Sequence, residues 1–195
     1  MITELGHMAL ILALCVALVQ STVPMLGAAR GRPGWMAVGR NTALVQFSLV
    51  ALAMAALMHA YITSDFSVIN VVQNSHTDKP LLYKVTGVWG NHEGSMLLWI
   101  FMLSLCGAAL ALFSGNLPPD LRARVLSVQG MIAVGFLIFI LFTSNPFLRM
   151  WPPAPNGHGL NPVLQDPGLA FHPPLLYAGY VGFVVPFAFA VAALL

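Results

Sequence analysis

The sequence predicts an all-α, polytopic membrane protein: a bundle of about five transmembrane helices with the N-terminus outside. Three observations carry this. Of 195 residues, 58% are hydrophobic and 7% are charged, against roughly 25% charged in an average soluble domain. The apolar residues gather in five long runs, each near the ~20 residues that a spanning helix needs. The connectors between the runs alternate in arginine content. The hydrophobicity excludes a disordered chain, and a net charge of +2 gives no basic patch for nucleic acid.

The first run, residues 5–26, begins beside Glu4 and His7, with no Lys or Arg near its start. It is longer than the ~7–15 residue core of a secretory signal, so it reads as a retained span. The others are residues 42–62, 95–113, 125–143 and 175–195. Backbone polar groups in lipid must be satisfied within the segment, which makes all five helices. Arg30, Arg32 and Arg40 lie in the first connector, and Arg122 and Arg124 in the third. The positive-inside rule puts these in the cytoplasm and the long second and fourth connectors outside, in the periplasm of a bacterium. The chain is expected to form one membrane domain over 1–195. The fifth run reaches Leu195 with no basic or aromatic anchor, which predicts a piece of something longer.

Cys15 and Cys106 form no CxxC pair, so neither a covalent haem attachment site nor a zinc knuckle is encoded. Both are expected to be buried thiols acting as small hydrophobes. No Asp, Glu, Lys or Arg stands in the middle of a span, which argues against proton pumps and ion-coupled transporters. All six histidines (7, 59, 76, 92, 158 and 172) fall in outer connectors or at outer helix ends. That asymmetry points to outward chemistry, and a neutral imidazole suits metal or haem iron.

Two outer segments stand out. In the first, Gly87 to Trp99, the glycines at 87, 90 and 94 would line one face if helical and admit close packing. Trp89 and Trp99 offer rigid aromatic surface or interface anchors. Glu93 enters the membrane edge without a neighbouring cation and is expected to pair with something, with His92 able to do so only across space. The second runs from Asp166 to Tyr177. The stretch 144–174 holds eight of the fourteen prolines, and is expected to be stiff and non-helical. Asp166-Pro167-Gly168 reads as a tight turn. His172 precedes a proline and is biased toward extended backbone, with Pro173 and Pro174 in the first turn of the last helix. His172 would then be fixed at a helix mouth, outside the ladder.

The stretches YKVTGVWGNHEGSMLLW (83–99) and LQDPGLAFHPPLLYAGY (164–180) resemble the CcmF/NrfE haem lyase family, and the likeness covers the N-terminal part of that family. The resemblance implies a helical bundle with an outward haem site. It implies haem b delivered by a haem chaperone, and thioether formation between haem vinyls and the CxxCH cysteines of apocytochrome c. It implies that His172 is an axial haem-iron ligand. Trp89, His92, Glu93 and the glycines are then expected to shape the site or its helix packing. Other cytochrome c maturation subunits and membrane lipid follow as partners, and the bacterial inner membrane as location. The family's WGxWWxWD motif and further haem histidines do not occur in these residues. This segment alone is therefore expected to be inactive and to hold haem weakly, as a truncated or split subunit. The competing expectation is a non-catalytic scaffold that recruits assembly partners through its outer loops.

Overall fold

The structure, a computed structural model, describes residues 1–195 apart from the side chain of Leu169. Eight α-helices follow in order: α1 (Ile2–Ala29), α2 (Pro33–Ile62), α3 (Ile69–Asn74), α4 (Leu81–Gly87), α5 (His92–Phe113), α6 (Pro119–Phe142), α7 (Pro167–Gly182) and α8 (Val184–Leu194). Five segments are long and apolar enough to cross a membrane: α1, α2, α5, α6, and the continuous stretch Ala170–Leu194 across α7 and α8. The five expected spans are all present, and longer than their apolar runs. Pro33 and Pro119 each open a helix within its first turn, where a missing N–H costs nothing, so α2 and α6 begin before the lipid-facing residues do.

Small residues set the packing. Ala9, Ala13 and Ala17 recur every fourth residue on α1 and share one buried cluster with Ala53, Ala56 and Ala60 of α2. Such stripes let two backbones approach closely where lipid gives no hydrophobic drive for association. Cys15 lies two residues from both Ala13 and Ala17, on the opposite side of α1, and is exposed; Cys106 is half-buried. Neither is the buried thiol expected. A three-residue turn, Arg30 to Arg32, joins α1 to α2, and there the Arg30 and Arg32 guanidinium groups lie 5.8 and 4.8 Å from the Trp35 ring centroid.

The two long connectors interlock at the other end of the bundle. Val68 and Arg149 form an antiparallel bridge, flanked by hydrogen bonds from the Ile69 amide to the Leu148 carbonyl and from the Met150 amide to the Ser67 carbonyl, each 2.9 Å. The start of α1 is tied in as well. Arg149 pairs with Glu4 and, at 3.2 Å, with Asp65, and the Asn145 amide meets His7 Nε2 at 3.1 Å. All six histidines lie at this end. The stretch 144–174 is not wholly non-helical as expected, since it contains a short 3-10 turn and the start of α7; the other long connector contains α3 and α4.

The fifth span departs furthest from expectation. The helix starts at Pro167 and not after His172. The Asp166 carboxylate accepts from the Gly168 amide at 2.8 Å, and its carbonyl accepts from the Ala170 amide at 2.9 Å. Asp166-Pro167 is thus a helix cap followed by proline, not a turn. His172 lies inside the helical ladder. The run then breaks at Phe183, because Pro186 has no N–H to give the Gly182 carbonyl.

Candidate functional site

The turn between α4 and α5 is built around Asn91. Its side-chain oxygen caps α5 by accepting from the Gly94 amide at 2.9 Å. Its amide nitrogen donates to the carbonyls of Gly87 at 2.9 Å and Val88 at 3.1 Å, and to the Tyr61 hydroxyl at 3.0 Å. Asn70 completes the lattice. It accepts from the Tyr61 hydroxyl at 2.7 Å and donates to Asn91 at 2.8 Å and to the Glu93 carboxylate at 3.2 Å. Gly87, Gly90 and Gly94 therefore do not share a helix face. Gly87 ends α4, Gly90 is in the turn, and Gly94 lies against the Val88 carbonyl so tightly that a side chain there would collide with it.

Glu93 finds its partner in Asn70, an amide rather than a cation. His92 does not pair with it: His92 Nε2 meets the Ser144 hydroxyl at 2.8 Å and the ring stands edge-on to Phe139, 6.2 Å between centroids. Adjacent helical residues point in different directions, so His92 and Glu93 serve different sides of α5. Trp99 is a packing hub. It stacks on Phe136 at 5.1 Å and touches Tyr177 and Tyr180, each at 5.8 Å, joining α5, α6 and α7.

The two segments singled out in the sequence meet through one hydrogen bond. Pro174 cannot donate to the carbonyl four residues before it, that of Ala170. The Trp89 indole N–H takes that place, donating to the Ala170 carbonyl at 2.9 Å. A cleft of about 320 Å3 opens beside this contact, lined by Trp89, Asn91, His92, Leu164, Pro173 and Tyr177 among others. Ala170, Pro173 and Tyr177 form one face of α7, at helical spacing. His172 is on the other side. It is exposed and makes no hydrogen bond or ring contact with the described residues, and Leu175, Leu176 and Phe183 on the same side are exposed too. Trp89 and His92 are thus brought together, and His172 stands across α7 from them.

Under the turn lies Lys79, 8% exposed, its ammonium donating to the Asn74 carbonyl at 2.9 Å. Burial, and then the charge of Lys84, push its pKa down to about 8. Asp65 is also lowered, but in its case the shift favours the charged form. Burial opposes its charge, but hydrogen bonds from the Ser67 hydroxyl and amide and the Arg149 guanidinium hold it below its ordinary value. Among the described residues no three His, Cys, Asp or Glu side chains gather as a metal-ligand set.

A family model for cytochrome C assembly protein matches residues 89–195, which begin at Trp89 and contain the cleft and His172. The chain belongs to the cytochrome c assembly protein family. It is 66% identical over 195 residues to the cytochrome c-type biogenesis protein ccl1 of Rhodobacter capsulatus, and 53% identical over 196 residues to CcmF of Escherichia coli. Each match covers 100% of this chain and 30% of the relative. The solved structure of a cytochrome c haem lyase, CcmF, superposes with a TM-score of 0.86 at 28% identity, over 99% of this chain and 30% of the other. This cytochrome c assembly family member therefore spans about 30% of the length of the relatives it matches. Within it, sequence reasoning missed Tyr61, Asn70 and Asn91. Asn91 had a readable signal, an Asn just before a glycine-containing first turn and an apolar run.

Proposed function

We propose that this chain serves cytochrome c maturation as part of a membrane haem lyase, acting on haem b at the periplasmic face of the bacterial inner membrane. The observation that carries this reading is His172: an exposed imidazole near the start of a spanning helix, flanked by exposed apolar side chains and held in place from behind by Trp89. A flat, largely apolar macrocycle suits such a face, and a neutral imidazole nitrogen suits its iron. Haem, when bound, supplies the vinyl groups to which the CxxCH cysteines of apocytochrome c are joined. His172 is its axial ligand in this reading. Trp89 is a positioning residue that fixes α7, and His92 and Glu93 set the α5 end on which Trp89's turn rests. The names of the relatives support the assignment, as does the gathering of all histidines at one end. Apocytochrome c, a haem chaperone and other maturation subunits are the partners it implies.

The test is His172→Ala in the full-length context. Holocytochrome c formation is expected to be abolished, with haem absorbance of the purified protein reduced; normal holocytochrome levels would sink the assignment. One feature favours a second reading, a scaffold that docks assembly partners. Trp151 is 89% exposed in the proline-rich connector. Haem absorbance unchanged by His172→Ala, with partners lost on Trp151→Ala, would favour that reading.

A further inference from the structure

The spans carry no charge at mid-depth, yet they carry three glutamines, Gln20 in α1, Gln46 in α2 and Gln129 in α6, all 3% exposed or less. Each lies roughly nine to thirteen residues from its helix's end at the short-turn side, at Ala29, Pro33 and Pro119. At about 1.5 Å per residue that is ~14–20 Å into a hydrocarbon core of ~30 Å.

The three converge. Gln20 Nε2 donates to the Leu126 carbonyl at 3.0 Å, joining α1 to α6. The Leu126 side chain packs with Ala43 of α2 and Ala111 of α5. One turn from that layer toward the long connectors stand Gln46, Gln129 and, on α5, Gly107. The Gln129 amide lies over the bare backbone of Gly107, where an added Cβ would come within 3.2 Å of its oxygen. Gln20 lies as closely against Gly130, the next residue of α6, where an added Cβ would meet its Cγ at 3.1 Å.

Most hydroxyls in the spans are satisfied by their own helix. Ser21 donates to the Leu18 carbonyl, Thr42 to Val38 and Ser104 to Phe101, each at 2.9 Å. The glutamines, like the Ser127 hydroxyl of α6, are different. Gln20 Oε1, Gln46 Nε2 and both polar atoms of Gln129 are buried and have no hydrogen-bond partner among the described protein atoms. Lipid offers none.

We infer that these amides enclose a hydration site, one or two ordered water molecules held between α1, α2, α5 and α6 near the middle of the membrane. Water matches the chemistry. The open groups are two acceptors and two sets of N–H donors, which a molecule with two O–H donors and two lone pairs can satisfy. A cation would face N–H donors as well as oxygens, and the near-complete burial of all three amides leaves no path for an organic ligand. The bound water sets the rotation of α1 and α6 against α2, a task that small-residue packing leaves to polar groups.

The decisive measurement is a structure of the protein in lipid nanodiscs at a resolution that shows solvent. Density within hydrogen-bonding distance of the Gln129 amide and of Gln20 or Gln46 is expected. Amides bonded directly to one another, or a dry site, would overturn the inference. Infrared difference spectra in heavy-oxygen water give an independent readout. A buried-water O–H band that shifts with the isotope is expected in the parent protein and should vanish in Gln129→Met, which keeps the side-chain volume. A band unchanged in that variant also overturns it. Should Gln129→Met fail to accumulate, Gln46→Met reads the same band, with the same two outcomes.

Discussion

Trp89 acts as a substitute backbone donor. Its indole N–H fills the place that Pro174 leaves open at the Ala170 carbonyl, and Ala170 is 2% exposed. Removing the donor strands a buried carbonyl, which costs about 1–3 kcal/mol. Trp89→Phe, which keeps most of the aromatic surface, should lower unfolding stability by that amount and loosen α7, seen as faster hydrogen exchange near Ala170. Lys79 makes a prediction of opposite sign. Its folded pKa of about 8 lies below the ordinary lysine value, so the unfolded chain binds more protons between about pH 8 and 10.4. Stability should rise with pH through that window, and the full penalty is present at pH 7. Lys79→Met should therefore stabilise the protein at neutral pH, by at most about 3 kcal/mol, and flatten the alkaline rise in melting temperature.

At the scale of elements, α7 depends on its cap. Asp166→Ala removes the acceptor of the Gly168 amide, a loss of about 0.5–2 kcal/mol. Fraying of the first turn should reach His172, six residues into the helix. On the proposed reading, haem affinity should fall in this variant although the imidazole is intact; unchanged affinity would mean that the cap does not position His172. The same helix shows where sequence reading succeeds and fails. Five apolar runs are legible because lipid leaves helices as the one local solution. The start of the fifth was not, since Asp-Pro-Gly is compatible with a turn and with a capped helix. The choice between them is made by Trp89, which is 81 residues from Ala170 and compensates the carbonyl that the prolines release. Trp89 and His92 were readable as residues of interest, while their joint cleft with Pro173 and Tyr177 was not, because no local pattern records which faces of α5 and α7 meet.

At the scale of the whole molecule, the described bundle is uneven. In the fifth span 17% of the most apolar window is buried, against 39–50% in the other four. Phe171, Leu175, Tyr180, Phe183 and Phe187 are all more than half exposed. This loosely held span carries the candidate ligand, whereas the tightly packed α1, α2 and α6 carry none of the proposed site. Stability and function are thus separated along the chain. Substitutions in the α1–α2 alanine stripe, such as Ala53→Leu, should lower accumulation of the protein by overpacking, at about 1–3 kcal/mol, while leaving haem affinity per folded molecule unchanged.

The interlocked connectors also dictate an order of events during synthesis. Val68 meets Arg149, and Thr77 meets Asn156, across gaps of about eighty residues, so the segment after α2 lacks these later partners while the ribosome is still making α5 and α6. A nascent chain halted before residue 143 should leave the 66–78 segment open to protease, and one extended past residue 158 should close it. Until that moment the growing protein passes through a stage in which three or four helices are inserted but its cap is undone. A quality-control protease would find its cleavage site there.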